Sequence, residues 1–233
     1  MVRLSLAAVM VAVLFCAAAV AQQAESQPEF PKVQAFGGFV FFHADTPGMR
    51  GPLISYALDQ PPNTFGIRKF FQGWDAQAQY NVSRWIGFAV DGGGRYGSPF
   101  TIADGIKGLP DGYTYSFLAG PVFSYRTKSI FTPFVHTLFG WDRTTLEGST
   151  IETPLSPVTS KANTYYDFVM ALGGGVDVRV WRRISVRPAQ LDWYHSSLNQ
   201  DNFYMRAFGL TKYLGVGTKE QNYRFATGIV VKF

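Results

Sequence analysis

Few side chains in this chain have the type and spacing for chemistry. His195-Ser196-Ser197 sets an imidazole and a hydroxyl two residues apart. On a strand these project to the same face, as a histidine that activates a serine nucleophile requires. Such a site also needs an acid to orient the imidazole, and the residues that follow offer only Asp201 and then Glu220. The other histidines, His43 and His136, stand far apart in the sequence, and the one cysteine, Cys16, lies in the first apolar stretch. No metal site is expected without clustered ligands. Gly92-Gly93-Gly94 and Gly173-Gly174-Gly175 do not match the G-x-G-x-x-G loop that opens a helix, so no cofactor is expected. What remains is a scatter of charges, Asp75, Asp91, Arg95, Arg126, Asp167, Asp177, Arg179, Arg187, Asp192 and Arg224. Each falls at the polar position of an alternating segment.

The elements that carry these residues follow an export segment. Arg3 is the only charge before Glu25, and an apolar run from Leu4 to Val20 ends in Ala19-Val20-Ala21. A basic start, an apolar middle and an A-x-A site read as a secretory signal peptide over residues 1–21, cleaved after Ala21. Residues 22–31 form a short lead, and residues 32–233 form one domain. After cleavage no cysteine remains, which excludes disulfides and thiolate chemistry. The net charge of +5 is too mild to point to nucleic acid. No later stretch approaches the ~18 apolar residues of a spanning helix. Yet the chain holds 21 Phe, 12 Tyr and 24 Gly, a profile that suits a membrane barrel better than a cysteine-free soluble sandwich.

Alternation is the test. A strand between lipid and a polar lumen must place apolar residues on one face only. From Tyr113 to Arg126 one face reads Tyr, Tyr, Phe, Ala, Pro, Phe, Tyr and the other Thr, Ser, Leu, Gly, Val, Ser, Arg. Similar patterns run through Trp74 to Val82, Trp85 to Tyr96, Phe131 to Asp142, Tyr166 to Val180, Ile184 to Tyr194 and Tyr223 to Phe233. Val33 to His43 contains Phe39-Val40-Phe41-Phe42 and fits either phase. In Ile184 to Tyr194 the phase slips at Pro188, which predicts a bulge because proline has no ladder N–H.

Eight strands result. Short turns around Ser83-Arg84, Lys128-Ser129 and Arg182-Arg183 alternate with long connections near 46–69, 98–112, 143–163 and 196–220. That alternation of short periplasmic turns with long external loops predicts an all-β fold, an eight-stranded antiparallel transmembrane up-and-down β-barrel. In so narrow a barrel side chains fill the interior. The ten charges above are therefore expected to form a packed network of mixed sign, with Asp177 and Arg179 sharing partners with Arg187.

The chain ends on Phe233, with Tyr223, Phe225, Ile229 and Val231 on the same face. This resembles the C-terminal signal that the barrel-assembly machinery reads in outer-membrane proteins. Residues 173–180 and 184–193 resemble strands six and seven of the OmpA-like β-barrel domain family, with no room for a following peptidoglycan-binding domain. The pattern covers essentially the whole chain after the signal peptide.

The resemblance implies a bacterial outer-membrane location. The implied partners are outer-membrane lipid including lipopolysaccharide and, during biogenesis, the assembly machinery and periplasmic chaperones. No nucleic acid is expected, and the chain is read as a monomer. It leaves three roles open. The first is a non-enzymatic barrel supporting envelope integrity or surface interaction through its four long loops. The second is a narrow channel for small solutes. The third is a lipid A-modifying hydrolase, since His195 and Ser197 near the end of a late strand are similar to the pair in the outer-membrane lipid A deacylase. Lipopolysaccharide phosphates are candidate ligands of Arg68, Lys69 and Arg143.

Overall fold

The structure is a computed structural model that describes residues 30–43, 65–67, 70–97, 100–102, 111–151, 157–196 and 220–233. The signal peptide and its cleavage site, Ser197, Asp201, Arg68 and Lys69 lie outside the described residues. Twelve strands are present among those described. They are β1 (Val33–His43), β2 (Phe65–Ile67), β3 (Phe70–Asn81), β4 (Ile86–Tyr96), β5 (Phe100–Ile102), β6 (Gly112–Ser124), β7 (Phe131–Leu146), β8 (Ser149–Ile151), β9 (Val158–Ser160), β10 (Asn163–Arg179), β11 (Ile184–Ser196) and β12 (Glu220–Lys232).

Eight of them close into an antiparallel barrel in the order β1-β12-β11-β10-β7-β6-β4-β3. The other four pair off as two small ribbons, β2 with β5 and β8 with β9, both within the long connections. Closure leaves the barrel no edge strand and pairs its backbone groups strand to strand.

The seam joins β1 to β12, with Gly38 opposite Gly228 and Phe41 opposite Phe225. The strands approach closely there. A Cβ on Gly38 would lie 2.1 Å from the Thr227 carbonyl oxygen, so only glycine fits.

The short turns are closed by backbone hydrogen bonds, helped in the β3–β4 turn by the Ser83 hydroxyl. Ser83 Oγ accepts from the Ile86 N–H at 3.0 Å, and the Val82 N–H donates to the Ile86 carbonyl at 3.0 Å. In the β10–β11 turn the Trp181 N–H donates to the Ile184 carbonyl at 2.9 Å. At Pro188 the register jumps: Arg187 faces Gly228, and Gln190 faces Ala226. One extra residue is absorbed there, as the phase slip predicts, and Arg187 and Gln190 both turn inward.

Alternation then sorts every barrel strand. On β6, Ser116, Leu118, Val122 and Ser124 are buried while Tyr115, Phe117 and Phe123 are exposed. On β1 the open phase resolves with Phe36, Val40 and Phe42 inside and Phe39 and Phe41 outside. The outer surface is therefore apolar around the wall, with Phe39 62% and Leu191 62% exposed. Tyrosines and tryptophans ring its two ends. On the loop side the Trp74 indole N–H donates to Tyr96 Oη at 3.0 Å, and Tyr96 meets Tyr115 edge-on at 6.1 Å. On the turn side Trp85 stacks on Tyr125 at 5.1 Å.

β7 and β10 run past the aromatic ring. Their register continues from Trp141–Phe168 up to Leu146–Asn163, and Thr145 and Thr164 hydroxyls meet at 3.2 Å there. The third long connection therefore begins later than the expected residue 143.

Candidate functional site

The barrel interior gathers the charged residues into layers, each built round one arginine that crosses the lumen. In the middle layer Arg224 on β12 is 3% exposed. Its Nε donates to Asp192 Oδ2 on β11 at 2.7 Å and its Nη1 to Asp91 Oδ1 on β4 at 2.8 Å. The same Nη1 lies 3.5 Å from Asp75 Oδ2 on β3. Asp192 takes two further donors, Gln190 Nε2 at 2.8 Å and His136 Nε2 at 2.9 Å. His136 Nε2 must carry its hydrogen to serve an acceptor-only carboxylate. Room for this layer comes from Gly173, where a Cβ would lie 2.1 Å from Asp192 Oδ1.

Toward the turn end, Arg187 on β11 donates from Nε to Asp177 Oδ1 on β10 at 2.8 Å. From Nη1 it donates to Gln190 Oε1 at 2.6 Å and to Gln77 Oε1 on β3 at 3.3 Å. Its guanidinium is sandwiched by Phe36 at 4.4 Å and Phe134 at 4.2 Å.

Toward the loop end, Arg95 on β4 donates to Asp142 Oδ2 on β7 at 2.5 Å, and Tyr194 Oη donates to Asp142 Oδ1 at 2.6 Å. Phe42 lies beneath that guanidinium at 4.0 Å. Each arginine thus joins walls that are not neighbours in the sheet. Charge-assisted bonds satisfy the carboxylates that burial would otherwise penalise.

Asp75 departs from this rule. It is 2% exposed, and neither of its carboxylate oxygens accepts a hydrogen bond from a described residue. Its nearest cation is shared with Asp91 and Asp192.

At the turn end Arg126 is buried just outside β6. It donates to the Arg84 carbonyl at 2.7 Å and to Asn81 Oδ1 at 2.8 Å. Burial pushes its guanidinium down to about 10 while Asp177 holds it up, so it remains a cation at neutral pH. Asp167 is buried on β10, across the ladder from Asp142.

Arg179 corrects the expectation that it shares the network of Asp177 and Arg187. It is exposed, and its Nη2 reaches the Lys128 carbonyl at 3.5 Å. It has the inward parity of Asp177 but ends β10 at the rim, where the lumen opens to water.

Sequence reasoning left His136, Asp142, Tyr194, Gln77 and Gln190 out of the network, although each sits at the inward parity of its strand. The signal was there in the alternation: a search limited to Asp and Arg passes over His136, Tyr194, Gln77 and Gln190, and Asp142 stands at the last position of its alternating segment.

His195 faces outward beside Trp193, stacked at 5.5 Å, and its Nδ1 has no hydrogen-bond partner among the described residues. No described acid orients its ring. Among the described residues no three His, Cys, Asp or Glu side chains converge to hold a metal ion. On β12, Tyr223 and Ile229 are exposed on the outer face and Phe225 and Val231 are half-buried there, as is Phe233 just past the strand, with Phe225 6.2 Å from Phe41 across the seam.

No protein-family model matches the chain, and no curated protein does, so the OmpA-like resemblance remains one of sequence pattern. Among solved structures, Ail, the attachment invasion locus protein of Yersinia pestis, aligns with a TM-score of 0.45 at 13% identity, covering 86% of this chain and 99% of that one. Neisserial surface protein A aligns at 0.48 and 14%, covering 88% and 100%. The outer membrane protein OprG from Pseudomonas aeruginosa aligns at 0.47 and 12%, covering 88% and 96%. These likenesses concern the course of the chain and carry nothing about activity.

Proposed function

We propose that the protein is a non-enzymatic integral β-barrel of a bacterial outer membrane, closed to solutes, whose work is done by the segments beyond its loop-side rim. The observation that carries this reading is the inversion of an ordinary soluble fold. Large apolar side chains such as Phe39, Phe117, Phe139 and Leu191 cover the outside, while the inside mixes charged residues such as Asp91, Arg187 and Arg224 with apolar clusters around Leu118, Leu138 and Phe36. A soluble monomer rarely exposes a contiguous apolar patch beyond a few hundred Å². A barrel wall in lipid requires one, with aromatic residues at both interfaces.

Barrel strands of 11 to 17 residues are long enough to cross a bilayer, which takes about 9–11. The cross-lumen ties of Arg95, Arg187 and Arg224 support a structural interior and disfavour a solute pathway. The unoriented His195 imidazole gives the hydrolase reading no support.

The envelope supplies the partners. Lipid, including lipopolysaccharide, surrounds the wall, and the apolar face of β12 ending at Phe233 serves recognition by the barrel-assembly machinery, with periplasmic chaperones before it. Vesicle insertion tests the reading. The unfolded protein should insert into phosphatidylcholine vesicles and acquire a folded band whose gel mobility shifts on heating. A protein that stays folded and dispersed in buffer without detergent or lipid would refute it.

A further inference from the structure

The turn end of the barrel is cationic. Lys32, Arg84, Lys128, Arg179, Arg182 and Arg183 are exposed there. The described turn residues contain no aspartate or glutamate, and apart from the terminal carboxylate of Phe233 the nearest acid is Asp177, buried against Arg187. None of the six pairs with a described carboxylate. Where their side chains bond at all, they bond backbone: Arg84 Nε donates to the Arg126 carbonyl at 2.9 Å and Arg179 Nη2 to that of Lys128. Guanidinium N–H groups are left over. The loop end is different, with Asp111, Glu147, Arg143 and Lys161 mixed on its described surface.

Between the β6–β7 and β10–β11 turns this rim holds an open cleft of about 770 Å³ lined by Ile130, Arg179, Val180, Trp181 and Arg182. Two cations flank three apolar side chains in one depression. Those apolar side chains are not folded inward: Trp181 is 72% and Val180 63% exposed. The apolar lip continues onto the outer wall through Phe131 and Ile184. Charge and apolar surface together match an amphiphile with an anionic head. Guanidinium groups bind phosphate oxygens through charge-assisted pairs, and tryptophan settles at the boundary between headgroup and acyl chain.

Resting on the membrane reading above, we infer that this cleft is a binding site for an anionic glycerophospholipid of the leaflet facing the turns. Arg179 and Arg182 hold the headgroup phosphate, and Trp181, Val180 and Ile130 flank the glycerol and upper acyl chain.

The test is native mass spectrometry of the protein in a non-ionic detergent with equal phosphatidylglycerol and phosphatidylcholine. Phosphatidylglycerol adducts should exceed phosphatidylcholine adducts at least fivefold. The double substitution Arg179→Gln, Arg182→Gln should bring the two lipids to parity, since each basic side chain near an anionic lipid surface contributes about a fivefold factor. Lys161→Gln at the loop end should leave the preference unchanged. Trp181→Ala should weaken both lipids alike, because it removes apolar contact and no charge. Free glycerophosphate should not compete at the same concentration, which separates a lipid site from a phosphate site. Heat-modifiable mobility confirms that each variant is folded. Parity in the unsubstituted protein, or a preference that survives the double substitution, overturns the inference. If the protein still inserts into phosphatidylcholine vesicles, the membrane reading stands without it; if it inserts into no vesicle, both fail.

Discussion

Arg224 Nε and Asp192 Oδ2, 2.7 Å apart on neighbouring strands β12 and β11, form the bond around which the barrel's middle layer is organised. Asp192 presents its two oxygens to three donors, and Arg224 reaches across the lumen from there to Asp91. The pair links the last two strands to β4 on the far wall, so it ties the end of the chain to a strand more than a hundred residues earlier in the sequence.

Removing the arginine while keeping its bulk should therefore be severe. Arg224→Met leaves Asp91 and Asp192 buried without their shared cation and should cost about 3–5 kcal/mol, the range for breaking a buried pair from one side. Urea unfolding in vesicles, read from the loss of the heat-modifiable band, measures it.

Asp75 should behave in the opposite way. Its oxygens receive no described donor, and it crowds Asp91 around one guanidinium. Asp75→Asn removes a buried like charge and should be neutral or stabilising by up to about 1 kcal/mol, while Asp192→Asn should cost about 3 kcal/mol. The same unfolding midpoints separate the two; equal losses would contradict the layer described above.

The outer wall makes its own prediction. Phe139 lies on the outer face of β7 and is 44% exposed. Phe139→Arg should lower stability in a bilayer by about 2–4 kcal/mol, the cost of a basic residue near the midplane of a lipid-facing wall. In a water-soluble barrel the same change would be neutral or improve solubility, so the sign of the effect discriminates.

Much of this architecture is legible in the sequence because one physical demand, apolar outside and polar inside, acts at every second residue. Tyr113 to Arg126 reveals its phase without ambiguity, since its aromatic residues all share the outward face and its inward face holds none. Val33 to His43 does not. Phe36 and Phe42 are needed inside to face the Arg187 and Arg95 guanidinium groups, so both faces of β1 are apolar and parity alone cannot choose.

The bulge was readable from Pro188, but the position of the rim was not. Parity places Arg179 inside and carries no information about where the lumen ends. The ladder of β7 beyond Trp141 escaped because its outer face turns polar at Arg143 and Thr145 while strand pairing continues. The ribbons β2–β5 and β8–β9 are three residues per strand, too short for any period to register.

The seam should be intolerant of side chains. Gly38→Val drives a branched side chain into the Thr227 carbonyl and should abolish the folded band, because pairing of β1 with β12 closes the barrel and removes both edges. Gly92→Ala on β4 is the control: its Cβ would lie 3.8 Å from the Ser116 carbonyl oxygen, an ordinary contact, and the substitution should be accepted within about 1 kcal/mol.

A membrane-spanning barrel sealed by its own side chains should not conduct ions. The most direct measurement is single-channel conductance of the protein in a planar bilayer, made on a preparation that shows the folded, heat-modifiable band. The bilayer should stay silent, without stable openings, because Arg224, Arg187 and Arg95 tie opposite walls together across the lumen. Steady, ion-selective openings from the same folded protein would contradict it and would recast those arginines and their carboxylates as the lining of a pathway.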